Sequence, residues 1–187
     1  MIYPKKLSSK NRDRIVNLLL LVTILISIIL VIINGILNPQ IPWSAITNAS
    51  IIYVWVTVIY SIKKNTNIAA HVLVQMVAIS LLLMYIDKSL IFKGWSVYVG
   101  MPIVFIVANI TMLILSILYY KKYTKYAIYQ LMIVFISLIQ VILFFKGIMN
   151  LEILNIISIL IALINFLVSI ILSGKAFYKV LVCNFHL

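Results

Sequence analysis

The chain has 187 residues, 65% of them apolar and 10% charged, and its mean hydropathy is +1.23. Fifteen Lys and Arg stand against three Asp and Glu, a net charge of +12. Soluble domains are about 45–50% apolar and about 25% charged, so these values exclude a soluble globular domain, a disordered chain and a disulfide scaffold and point to a polytopic membrane protein.

Six apolar runs follow, each close to the roughly 20 residues that a helix needs to cross a bilayer. A basic segment, 1–14, carries Lys5, Lys6, Lys10, Arg12 and Arg14 and leads into the first run, Ile15–Leu37. That run is longer than the roughly 7–15 apolar residues of a signal peptide. Asn34-Gly35-Ile36-Leu37-Asn38-Pro39 offers no small-x-small cleavage site, so the run reads as a retained span. The second run is Trp43–Ile62, the third Ile68–Ile86 and the fourth Val97–Tyr120. The fifth is Tyr126–Phe145 and the sixth Leu151–Leu172. All are too long and too uniformly apolar for barrel strands. The tail, 173–187, mixes Lys175 and Lys179 with Phe177, Val180, Leu181 and Phe185, and reads either as a short surface-lying amphipathic segment or as a plain helix end.

The expected fold class is therefore all-α: six transmembrane helices within 15–172, arranged as three hairpins. Twelve basic residues fall on the side of the N-terminus, Lys63-Lys64, Lys121–Lys125 and Lys175–Lys179; Lys88, Lys93 and Lys146 fall on the other. The basic side is the cytoplasmic one by the positive-inside rule, which places both termini inside, in a bacterial cytoplasmic membrane. Trp43 and Trp95 mark the outer boundary, and Tyr119, Tyr120, Tyr123, Tyr126 and Tyr129 crowd the inner one. Pro42-Trp43-Ser44 and Gly94-Trp95-Ser96 open the second and fourth spans 52 residues apart, a thin signal of a repeated hairpin.

Ionisable groups inside a bilayer are functional candidates by default, and this chain keeps them at the edges. Asp87 closes the third span, Glu152 opens the sixth, and His71 lies about one turn into the third. With Trp43 and Trp95, the two carboxylates define an outer interface. No HExxH, nucleophile elbow, P-loop or dinucleotide fingerprint is present, and the single cysteine, Cys183, has no thiolate partner. No enzyme activity, cofactor or metal site is expected. The basic clusters are too short and scattered to form a nucleic-acid face.

Uncharged polar residues instead recur at helical spacing. Asn155, Ser158, Ala162, Asn165 and Ser169 share one face of the sixth span, and Pro102, Asn109 and Ser116 keep heptad register in the fourth. The third span carries His71, Gln75 and Ala78, and the fifth Gln130, Ser137 and Gln140. Gln75, Asn109, Ser116, Asn155, Ser158, Asn165 and Ser169 form a polar seam. It either packs helices through hydrogen bonds or lines a pocket between the third, fourth and sixth spans. Pro102 either kinks the fourth span or opens it at its first turn.

These landmarks resemble a family of uncharacterised bacterial membrane proteins from low-GC Gram-positive organisms. The likeness covers nearly all six spans. It rests on Asn65, Asn67, Gln75, Asp87, Gly94-Trp95-Ser96, Tyr98, Pro102, Tyr126, Tyr129, Gln130 and the closing Phe185-His186-Leu187. Many members carry an N-terminal zinc ribbon. No CxxC occurs here, so the resemblance implies no metal binding. It implies no known activity either.

The expected role is a non-catalytic accessory or sensor-type membrane component, partnered by the lipid bilayer and a membrane protein. The alternatives are a solute-binding or transport protein for a small neutral or apolar solute, or a bacteriocin-immunity or lipid-handling protein.

Overall fold

The computed structural model describes residues 9–63, 68–90, 94–118, 124–146 and 152–185, and every regular element among them is helical. The helices are α1 (Ser9–Leu37), α2 (Trp43–Lys63), α3 (Ile68–Ser89), α4 (Met101–Leu118), α5 (Thr124–Phe145) and α6 (Ile153–Phe185). A π-helical turn, Ser96–Gly100, runs directly into α4. Among the described residues, five stretches are long and apolar enough to cross a membrane: Asp13–Leu37, Ile68–Ser89, Ser96–Leu118, Tyr126–Phe145 and Ile153–Leu172. The apolar part of α2, Trp43–Ile59, is shorter. Helices of this length and apolarity fit a membrane, where hydrocarbon offers no water to backbone N–H and C=O groups and each segment must satisfy its own.

The helices depart from their expected bounds in two places. α1 begins at Ser9, inside the basic segment, and α6 continues to Phe185, well past the end of its apolar run. Ser173 and Gly174, past the end of the sixth apolar run, lie within that helix. Asn65, Asn67, Tyr119, Tyr120, Lys121, Lys122 and Tyr123 lie outside the described residues.

The chain forms two compact units, 1–52 and 53–187. In the first, α1 exposes apolar side chains along its length, Leu18, Leu25, Ile29 and Ile36 among them. Its polar side chains turn to local work. The Thr23 hydroxyl donates to Leu20 O at 2.9 Å, and the Ser27 hydroxyl donates to Asn48 Oδ1 of α2 at 2.7 Å.

The second unit holds the core. Ala69 and Met76 of α3, Phe105, Ala108, Met112 and Leu115 of α4, and Ile133 of α5 bury against one another. Tyr126 and Tyr129 pack on that cluster from the first turns of α5. Two alanines among large side chains let backbones approach closely, which in lipid substitutes for the hydrophobic drive that water supplies. α6 lies against α4 and α5 along the opposite side of that layer.

Pro102 neither kinks α4 at mid-span nor simply opens it. The Met101 N–H bonds to Ser96 O, five residues back, so the helix starts wide and tightens at the proline. In a continuous α-helix the proline ring would meet the carbonyl of Tyr98, four residues earlier. A π-turn widens the spacing at that point.

Candidate functional site

The polar seam is assembled from three heptad pairs. α4 supplies Asn109 and Ser116, α5 supplies Gln130 and Ser137, and α6 supplies Ser158 and Asn165. A seven-residue step returns each pair to nearly the same helix face. Asn109, Ser116, Gln130, Ser137 and Asn165 are all 0% exposed.

α4 and α5 make two rungs in antiparallel register. Asn109 Nδ2 donates to Ser137 Oγ at 2.7 Å, and the Ser116 hydroxyl donates to Gln130 Oε1 at 2.9 Å. Asn165 ties the rungs together. Its Nδ2 donates to Asn109 Oδ1 at 2.8 Å, and its Oδ1 accepts from Gln130 Nε2 at 2.5 Å. Backbone carbonyls take the remaining donors: Asn109 Nδ2 also reaches Phe105 O at 2.8 Å and the Ser137 hydroxyl reaches Ile133 O at 2.8 Å. Ser116 shares its single proton between Gln130 Oε1 and Met112 O, the latter at 2.7 Å. Both oxygen acceptors of the amide pair, Asn109 and Asn165, are occupied from within the protein. Interhelical bonds of this type contribute about 0.6–2 kcal/mol each in a bilayer.

The remaining sequence-derived residues fall elsewhere. Gln75 is half-buried and accepts the Tyr53 hydroxyl at 2.6 Å, which ties α3 to α2. Among these bonds, α5 rather than α3 supplies the partners between α4 and α6. Heptad spacing marked Gln130 and Ser137, but spacing assigns a face and not the neighbour that meets it. Asn155, Ser158 and Ser169 are fully buried on the same face of α6 as Asn165. Ser158 Oγ accepts from Gln140 Nε2 at 3.0 Å, a second α5–α6 tie.

A family model matches residues 3–187. The chain belongs to the DUF6320 family, a family of unknown function. No curated protein and no solved structure matches the sequence. For this DUF6320 chain, then, the geometry must carry the functional reading.

Two further polar clasps lie where helices connect. In the first, the Asn34 side chain closes the α1–α2 connection. Its Nδ2 donates to Asn38 O at 2.7 Å and Ile41 O at 3.0 Å, and its Oδ1 accepts the Ser44 N–H at 2.8 Å. In the second, Asp87 closes the α3–α4 connection. Its Oδ2 accepts the Ser96 N–H at 3.3 Å and the Ser96 hydroxyl at 2.8 Å. Each clasp joins a residue in the last turn of one helix, Asn34 or Asp87, to the serine that follows Trp43 or Trp95. The 52-residue offset between those Trp-Ser pairs therefore coincides with a shared hydrogen bond. Gly94 supports the second clasp with φ +77°, a conformation that costs glycine little. A Cβ there would come within 2.8 Å of the Tyr98 ring.

The outer-interface set thus divides. Asp87 is fully buried, Glu152 is exposed, Trp43 is half-buried and Trp95 borders on exposed.

Proposed function

We propose that the protein is a multi-pass component of the bacterial cytoplasmic membrane, with both termini in the cytoplasm, and that it acts as a non-catalytic accessory or sensor-type subunit. The observation that carries this reading is the mutual satisfaction of Asn109, Ser116, Gln130, Ser137 and Asn165. Catalysis or solute binding needs polar groups aimed at a ligand; here these five residues are aimed at each other. Their role in this reading is to fix which helices pair and in what register. The working surface is then the lipid-facing exterior, which suits a subunit that meets another membrane protein.

The test is purification of the full chain from its host in mild detergent, with mass spectrometry of what accompanies it. A membrane protein at constant stoichiometry supports the subunit reading. A retained small molecule that disappears in Asn109→Leu or Asn165→Leu overturns it.

The second reading is a solute-binding or transport protein for a neutral or apolar solute. It draws support from the π-turn at Ser96–Gly100, because interrupted helical geometry recurs at binding sites in transporters.

A further inference from the structure

The second α5–α6 tie differs from the first in one atom. Gln140 is 2% exposed, and its Nε2 donates to Ser158 Oγ. Its Oε1 is buried and accepts no hydrogen bond from the described residues. A buried carbonyl without a donor carries a cost in any interior, larger in hydrocarbon, where no solvent relaxes toward it.

The surroundings are polar on the α6 side. Ser158 and, one turn nearer the helix start, Asn155 are both fully buried on the face that meets α5. Gln140 stands five residues before the end of α5 at Phe145, about 8 Å along the helix axis. That depth is reachable from the membrane interface without crossing the hydrocarbon centre.

We propose that Gln140 Oε1 is the acceptor of a buried water-binding site between α5 and α6, with the Ser158 hydroxyl and the Asn155 carboxamide as its further partners. A water held by about three polar groups is the usual way a protein interior satisfies such an acceptor. The seam at Asn109, Gln130 and Asn165 needs no such molecule, because its acceptors are filled by side chains. The α5–α6 interface is then hydrated near one end and dry in the middle. The inference stands on Gln140 alone and is independent of whether the protein is a subunit or a transporter.

The test is water-edited solid-state NMR on the full chain in liposomes, with labelled glutamine side chains. Gln130, fully buried and bonded to protein, is the internal dry standard. The expected result is that magnetisation reaches the Gln140 carboxamide from water several-fold faster than it reaches Gln130. Gln140→Met identifies the signal by its loss. Should that variant not fold, a crystal structure of the unaltered chain in a lipid mesophase gives the same answer. It should place a water within hydrogen-bond distance of Gln140 Oε1. Transfer to Gln140 no faster than to Gln130, transfer from lipid protons only, or a lipid or solute group instead of water beside Oε1 would overturn the proposal.

Discussion

The two helix connections solve the same problem with different chemistry. Asn34 and Asp87 both accept the N–H of a serine in the first turn of the next helix. Asn34 also gives: its Nδ2 holds the carbonyls of Asn38 and Ile41. The Asp87 carboxylate takes the Ser96 hydroxyl as well as the N–H. The difference teaches that an amide suffices where loop carbonyls must be held. A carboxylate serves where a donor-rich turn must be gathered, here at the start of a π-turn.

That contrast makes the exchange of the two residues asymmetric. Asn34→Asp should be the most damaging change, by about 3 kcal/mol. It replaces a buried donor with a charge facing two carbonyls. Thermal melting in detergent, followed by tryptophan fluorescence, would show the loss. A midpoint equal to that of Asn34→Ala would break the asymmetry. Asp87→Ala comes next, at about 2–3 kcal/mol, since it orphans both the N–H and the hydroxyl of Ser96. Limited proteolysis of the α3–α4 connection is the direct measure, and unchanged resistance would show that the clasp does not hold it.

Gly94→Ala is expected to cost about 2 kcal/mol, from a positive φ and a Cβ against Tyr98. A compensating Tyr98→Ala should recover only the steric part in a double-mutant cycle. Asp87→Asn should cost about 1 kcal/mol or less, because asparagine already makes the matching bond at Ser44. If it proves as harmful as Asp87→Ala, the negative charge itself is what the turn requires. Smallest of all is Gly35→Ala. Nothing lies within 4 Å of the added methyl, and the helix should gain about 0.5–1 kcal/mol.

Much of this architecture is legible in the sequence, for a physical reason. A chain built for lipid is held to one secondary structure and one approximate length, so six apolar runs of that length already mark out helices. Composition says less where lipid stops acting. α6 runs to Phe185 because Ser173 and Gly174, though weak helix formers, do not end a helix already propagating. The seam was half legible. The heptad steps from Asn109 to Ser116 and from Gln130 to Ser137 fix faces; only the fold decides that these two faces meet. The clasps were less legible still. Asn34 and Asp87 appear as isolated polar residues near helix ends, and their bonds depend on the path of the intervening turns. The Trp-Ser repeat was the one signal that linked them.

The π-turn before Pro102 sets the phase of everything after it. Each residue advances an α-helix by about 100°. A wide turn therefore acts as a rotational offset between the Asp87–Ser96 clasp and the Asn109–Ser116 pair. Removing one residue just past the turn, Ile103 for instance, would keep α4 apolar and nearly as long. It would also swing Asn109 and Ser116 about a quarter-turn from α5 and α6, which hold them now. The chain would keep its hydrophobicity and lose its alignment, so a deletion invisible to any hydropathy plot would misregister half of the bundle.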